Sequence, residues 1–180
     1  MSVTPEELAS WLRAEEGEHL EFKEARSDFD ALKLVKYCAA LANEGGGRLV
    51  LGVTDRRPRR VVGSQAFQDL QQTKHQVTDR LRLRIDAEAI AHPDGRVVVF
   101  SVPGRPIGSP IQVDGAYLMR SGESLVAMTP DVLQRIFAEA QPDYSAESCA
   151  RATFNDLAPA AVELFRKKWI EKSRRPELAT

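Results

Sequence analysis

The apolar positions of this chain change their spacing several times, and each change predicts a new element. Helical spacing of apolar residues predicts helices near 5–16, 31–44, 67–83, 129–138 and 156–172. Alternation or apolar, β-branched runs predict strands near 19–23, 48–54, 61–63, 96–102, 111–113 and 116–120, with a further extended segment at 85–90. The interleaving of short strands with helices predicts an α+β fold, a mixed β-sheet with helices packed against it plus a C-terminal helix.

The segment Leu41–Asp55 organises this pattern. Gly45–Gly47 interrupt a helical pattern, and the apolar run that follows predicts a central strand buried on both faces. These glycines lead from a helix into a strand, whereas phosphate-binding loops lead from a strand into a helix, so the segment does not indicate a nucleotide site. The strand instead places the carboxylate of Asp55 at its C-terminal end.

The pattern also divides the chain into two parts. Residues 1–140 carry the alternating helices and strands, and we predict that they form one domain. Residues 141–180 are predicted to hold a linker and one amphipathic helix. A lone helix needs a packing partner, so it packs on the domain, forms a homodimer or begins a further domain, and the sequence leaves these alternatives open.

Composition and charge indicate where the protein is located more than which reaction it performs. The 180 residues carry a formal net charge of −1, so affinity for nucleic acid must come from a local patch. The two cysteines are far apart and fit neither a disulfide framework nor a metal site, and Cys38 lies in an apolar helical pattern that predicts a buried thiol. With no leader-like start and no apolar run of ~20 residues, we predict a cytoplasmic protein without a membrane partner.

Basic residues cluster around one predicted turn. Arg56, Arg57, Arg59 and Arg60 surround Pro58 directly after Asp55. We predict that these four arginines contact nucleic acid together with Lys33, Lys36 and Arg120. Such a patch neutralises phosphates and is the general signature of nucleic-acid affinity. The alternative interpretation is an exposed turn that arginine keeps soluble.

Four motifs together resemble one known family, over about residues 10–140. They are Glu16-x-Glu18-x-Leu20-Glu21-Phe22-Lys23, the Ala-Asn-x-x-Gly-Gly segment from Ala42 to Asp55, Val62-Gly63, and Tyr117-x-x-Arg120-x-Gly122. Their order and spacing resemble the Schlafen/AlbA-type domain, so the resemblance implies a Schlafen-core-like fold. Glu44 and Leu41 depart from the residues usual in the family, which are Thr and Phe.

The resemblance implies two functions for the chain. Animal members include RNases that act on tRNA and rRNA through two glutamates and one aspartate, which correspond by position to Glu16, Glu21 and Asp55. Such a triad implies a divalent cation, Mg²⁺ or Mn²⁺, that activates water, with Lys23 beside the phosphate. Bacterial members are described as DNA-binding regulators, often with the domain at the N-terminus of a longer chain.

We therefore predict a metal-dependent endoribonuclease that acts on structured RNA such as tRNA, in preference to DNA. The alternative is a non-catalytic DNA-binding module of a transcriptional regulator, and a weaker one is a dimerisation domain. The acidic residues also have structural interpretations, as a solvated surface or as a salt bridge from Glu21 to Lys23, Lys36 or Arg120. A buried and paired Glu21 would weaken the metal hypothesis.

Overall fold

The computed structural model describes residues 3–139 and 151–173, and it confirms the α+β fold. The helices are α1 (Pro5–Arg13), α2 (Ala31–Asn43), α3 (Leu70–Leu81), α4 (Pro130–Ala138) and α5 (Pro159–Ser173). The strands are β1 (Leu20–Lys23), β2 (Gly46–Leu51), β3 (Asp86–His92), β4 (Gly95–Pro103), β5 (Gln112–Val113), β6 (Ala116–Ser121) and β7 (Ser124–Ala127). The predicted domain boundary at 140/141 lies outside the described residues and stays a prediction.

The main sheet has four strands in the order β1-β2-β4-β3. β1 runs parallel to β2, with Lys23 opposite Leu51, whereas β4 is antiparallel to both β2 and β3. The sheet is therefore mixed, as predicted, and β2 is an inner strand. At Gly47 an added Cβ would lie 2.5 Å from the carbonyl oxygen of His19, so glycine permits the close approach of β2 to the chain before β1.

Helices cover both faces of this sheet. The alternation in β1 directs Phe22 toward α1, where it packs with Leu8 and Val50, all fully buried or nearly so. α2 and α3 pack on the other face through an apolar cluster that includes Cys38. Cys38 is fully buried as predicted, and burial raises the pKa of its thiol to about 12. Glu21, the neighbour of Phe22 in β1, points to this second face.

A second sheet has three strands, β5, β6 and β7. The sequence pattern did not predict β7, and the predicted strand at 61–63 forms only a single bridge between Val61 and Val53. The Asp114–Gly115 turn closes the predicted hairpin between β5 and β6 with positive φ at both residues.

The side chain of Asn43 joins this hairpin to α2. Its amide nitrogen donates to the carbonyl oxygens of Ile111 (3.0 Å) and Leu118 (2.8 Å), and its amide oxygen accepts from the backbone N–H of Ile111 (2.7 Å). These three bonds hold both strands of the hairpin against the last turn of α2.

The second described unit, residues 151–173, contains α5. At 3.6 residues per turn, Val162, Phe165 and Trp169 lie on one side of this helix, but Leu164 and Ile170 lie on other sides. The apolar residues therefore do not form the single stripe predicted for an amphipathic helix. Within the described residues, no helix is both long enough and apolar enough to span a membrane.

Candidate functional site

The carboxyl ends of β1 and β2 lie at the same edge of the sheet because the two strands are parallel. α2 starts after the short loop that follows β1, so its first turns lie at this end as well. Here the charge of Lys23 interacts with those of Glu21, Asp55 and Glu16. The fold therefore brings the three acids singled out in the sequence to one neighbourhood, around a lysine.

Glu21 is fully buried and paired with two cations. One carboxylate oxygen lies 2.6 Å from the Nζ of Lys23, and the other accepts a hydrogen bond from the guanidinium of Arg120, which is also fully buried. The ring of Tyr37 lies beside both cations, 5.5 Å from the Lys23 Nζ and 5.6 Å from the Arg120 Cζ. This arrangement is the salt bridge that the sequence offered as a structural role for Glu21.

The charges at this site fix its protonation states. Burial lowers the pKa of Lys23, but the hydrogen bond and the negative charge of Glu21 outweigh burial and raise its pKa above the usual value. Lys23 is therefore a cation at neutral pH and not a proton acceptor. Burial raises the pKa of Glu16, and repulsion from Glu21 raises it further, while the backbone N–H of Phe22 opposes the shift.

Glu16 and Asp55 both accept hydrogen bonds from the outer edge of β1. The carboxylate of Glu16 accepts from the N–H of Phe22 (3.1 Å), and that of Asp55 accepts from the N–H of Glu24 (3.2 Å). The N–H of Gly17 donates to the carbonyl oxygen of Leu20 (3.1 Å) on the same edge. Since an open strand edge invites pairing with another chain, these three bonds satisfy part of the edge and cover it with groups of the same chain.

The three carboxylates do not fit a divalent cation as they are arranged here. Glu21 is balanced by Lys23 and Arg120, and Glu16 and Asp55 are each bonded to a backbone N–H of β1. In residues 3–139 and 151–173, no group of three or more His, Cys, Asp or Glu side chains could hold a metal ion. Mg²⁺ requires near-octahedral oxygen ligands at about 2.0–2.1 Å, a geometry that this donor set does not offer.

Two of the clustered arginines hold the loop to the end of α1. Arg57 lies 3.2 Å from the carboxylate of Glu15, and Arg59 donates to the carbonyl oxygen of Ala14 (2.6 Å). The guanidinium of Arg59 also stacks over the ring of Phe22 at 4.4 Å. Cations at this place complement the negative end of the helix dipole.

Burial contradicts two of the predicted nucleic-acid contacts. The side chain of Arg59 is 3% exposed and that of Arg120 is 0% exposed. Neither guanidinium has the surface that a phosphate contact requires, so the prediction for these two residues is wrong. Arg59 contacts α1 and Phe22, and Arg120 contacts Glu21 in the core.

The other basic residues stay accessible at this end of the sheet. Arg56, Arg60 and Lys33 are exposed and Lys36 is half-buried, and none of the four forms an ion pair with any residue that the structure describes. We call these four residues the basic surface. They are the part of the predicted patch whose charge is available to a ligand.

Two residues at the site were missed by the sequence interpretation. Tyr37 lies within the helical pattern predicted at 31–44, where the apolar spacing gives no sign of a polar role, yet it borders the Glu21 ion pairs. Asn43 was noted only as part of a motif, yet it carries the contacts between α2 and the hairpin. A polar residue within the thick apolar face of a predicted helix was the available signal, because a buried amide needs partners.

Comparison with known proteins places this site in a family. The family model described as "Schlafen, AlbA_2" matches residues 16–129, which include Glu16, Glu21, Asp55 and Arg120. A search of curated proteins finds no match.

Two solved structures are similar to the chain. The crystal structure of DIP2311 from Corynebacterium diphtheriae has a TM-score of 0.58 and 23% identity, and the match covers 90% of this chain and 38% of that protein. The solution structure of the N-terminal domain of a RecG-related protein from Nitrosomonas europaea has a TM-score of 0.46 and 20% identity, covering 69% of this chain and 92% of that domain. The first supports the fold alone. Because the family model spans more than half of the sequence, the chain belongs to the Schlafen AlbA_2 family.

Proposed function

We propose that this domain binds nucleic acid through the basic surface, and that structured RNA is preferred to DNA. The observation that carries the proposal is that four cations without ion-pair partners, among the described residues, lie on two elements at the end of the sheet where β1 and β2 finish: Arg56 and Arg60 on the loop after β2, and Lys33 and Lys36 in the first turns of α2. A phosphate backbone can pair with these cations without first displacing a carboxylate. The preference for RNA follows from the family resemblance.

The surrounding residues favour this role. Arg57 and Arg59 fix both sides of the loop against α1, so Arg56 and Arg60 project from a loop that is already held in place. Two of the three acids at the site are screened from a phosphate, since Glu21 is paired with two cations and the side chain of Glu16 is 5% exposed, whereas Asp55 is exposed. Lys23 keeps 18% of its side chain exposed between the strand ends.

The double variant Arg56→Ala/Arg60→Ala tests the proposal. We expect weaker binding to every sequence and a shallower dependence of affinity on salt, because each lost phosphate contact removes about 0.7–0.9 from the slope of log K against log salt. Fluorescence anisotropy with a tRNA and with duplex DNA, at several KCl concentrations, measures both effects.

The control removes the same charge at the other end of the sheet. Arg82 and Arg84 are exposed and precede β3, so Arg82→Ala/Arg84→Ala has the same net charge as the test variant. Equal losses of affinity in the two variants would contradict the assignment of the basic surface. Tighter binding to duplex DNA than to tRNA would overturn the preference for RNA.

The second candidate function is the metal-dependent endoribonuclease. One observation favours it, the gathering of Glu16, Glu21 and Asp55 around Lys23. The cation would require these carboxylates to leave their present partners, and Asp55 is the most exposed of the three.

Asp55→Asn is the informative variant for this candidate, because it leaves the buried ion pairs intact. We expect that tRNA incubated with Mn²⁺ stays uncut by wild-type protein that binds it, as judged by denaturing gel electrophoresis. Cleavage that both EDTA and Asp55→Asn abolish would establish the endoribonuclease instead. Cleavage that survives both would exclude the three-carboxylate mechanism.

A further inference from the structure

The two outer edges of the four-stranded sheet differ in how their backbone groups are satisfied. Along β1 and just after it, three outward groups are bonded: the N–H of Phe22 to Glu16, the N–H of Glu24 to Asp55, and the C=O of Leu20 to the N–H of Gly17. On β3, at the opposite edge, no backbone group bonds to a described residue outside the β3–β4 ladder. An open strand edge in a folded protein is a template for pairing with another chain.

The hydrogen-bond pattern identifies the groups that β3 directs outward. The N–H groups of Arg48 and Gly52 donate to β1, so the even-numbered residues of β2 bond toward β1 and the odd-numbered residues toward β4. Antiparallel ladders alternate in the same way, and the registers of β4 with β2 and β3 carry the alternation across the sheet. Ala87, Ala89 and Ala91 therefore direct their N–H and C=O groups to the open edge.

The residues of β3 do not obstruct a partner strand. The strand has seven residues, Asp86–His92, without proline or lysine. Its two charged residues direct their backbone groups to β4, and their carboxylates are bonded within the chain, Asp86 to Lys74 and Glu88 to the N–H of Val3. Its ladder with β4 is regular from Asp86 to His92, without a bulge. The three residues whose backbone groups face the open edge are alanines, so each has only a methyl side chain. Ala89 and Ala91 are exposed.

We propose that β3 pairs with β3 of a second copy of this chain, antiparallel and two-fold symmetric about Ala89. This register uses all seven residues, since Ala89 meets its equivalent and Ala87 meets Ala91 of the partner subunit. Asp86, whose carboxylate pairs with Lys74 of its own chain at 3.1 Å, then lies opposite the imidazole of His92 of the partner subunit at each end. The result is one continuous eight-stranded sheet.

The self-complementarity of β3 favours a second copy over an unrelated peptide. A two-fold contact needs one segment whose first half fits its second half, and β3 has alanines at 87, 89 and 91, symmetric about Ala89, with Asp86 at one end and His92 at the other. The contact is independent of the proposed function, because β3 lies at the edge remote from β1 and the basic surface lies at the ends of β1 and β2. Each proposal can fail without the other.

Charge substitution at the two-fold axis tests the contact. We expect sedimentation equilibrium of the full chain to give the dimer mass, and Ala89→Lys and Ala89→Glu each to give the monomer mass, because like charges meet at the axis. An equimolar mixture of the two variants is expected to restore the dimer mass, since lysine then meets glutamate. Ala116→Lys, at an exposed alanine of β6, is the control that keeps the dimer.

Amide hydrogen exchange gives a readout for individual residues. In the wild type the amides of Ala87, Ala89 and Ala91 are expected to exchange as slowly as those of Glu88 and Ile90, and in Ala89→Lys only the first set becomes fast. A monomeric wild type with fast exchange at the three alanines overturns the proposal. A dimer that Ala89→Lys and Ala89→Glu both leave intact, or a mixture that stays monomeric, overturns it as well.

Discussion

Replacing Glu21 with alanine is expected to lower the free energy of unfolding by about 3–5 kcal/mol, the cost of leaving buried charges without their partner. Glu21 and Arg120 are both fully buried, and Lys23 bonds to the same carboxylate. The variant leaves the buried guanidinium of Arg120 and the partly exposed ammonium of Lys23 beside Tyr37 without their counterion. Urea denaturation followed by tryptophan fluorescence measures the change, since Trp11 packs with the core beneath α1 while Trp169 is already exposed.

A second variant separates lost charge balance from lost packing. Glu21→Leu/Arg120→Met removes both members of the buried pair, so it is expected to be more stable than Glu21→Ala because no arginine is left uncompensated. A loss below about 1 kcal/mol in Glu21→Ala, a value typical of exposed pairs, would contradict the buried ion pair. It would also restore Glu21 as a free ligand for a cation.

Replacing Asn43 with alanine is expected to lower the free energy of unfolding by about 2–4 kcal/mol. The substitution removes three hydrogen bonds and leaves two backbone groups of Ile111 and one of Leu118 without a partner, at about 1–3 kcal/mol for each group that stays dry. Thermal and urea unfolding measured by circular dichroism give the size of the loss.

The chain offers a matched control for this change. Asn155 is exposed, so Asn155→Ala is expected to stay within about 0.5 kcal/mol of the wild type. Equal stability of Asn43→Ala and Asn155→Ala would contradict the role of Asn43 in holding the hairpin. Since the hairpin also carries Arg120, the effects of Asn43→Ala and Glu21→Ala should not be additive.

These expectations change how substitutions in this family member are interpreted. Loss of activity in Glu21→Ala would follow from damage to the core, whether or not Glu21 touches a substrate. Asp55 and Arg56 are exposed, so substitutions there report on binding and chemistry with little effect on the core. Stability must therefore be measured beside activity for each variant of the acidic residues.

Some parts of the fold and the site follow directly from periodicity and turn chemistry. The continuous apolar run after Gly45–Gly47 predicted an inner strand, and β2 lies between β1 and β4. Alternation in 19–23 placed Phe22 and Glu21 on opposite faces, as observed. β7 was missed because its four residues, Ser124–Ala127, lie on a small, half-exposed sheet and show little apolar contrast.

The sequence by itself determined the mixed sheet, the carboxylate at the exit of β2 and the positions of the charged clusters, because backbone periodicity and glycine turns are local properties. Only the tertiary structure decided which charges are available. Glu21 and Arg120 are 99 positions apart, and Arg59 pairs with the end of α1 rather than facing solvent. Pairing and burial depend on long-range packing. Arginines that look alike in the sequence therefore have different environments: Arg120 is in a core ion pair, Arg59 contacts the end of α1, and Arg56 and Arg60 belong to the basic surface.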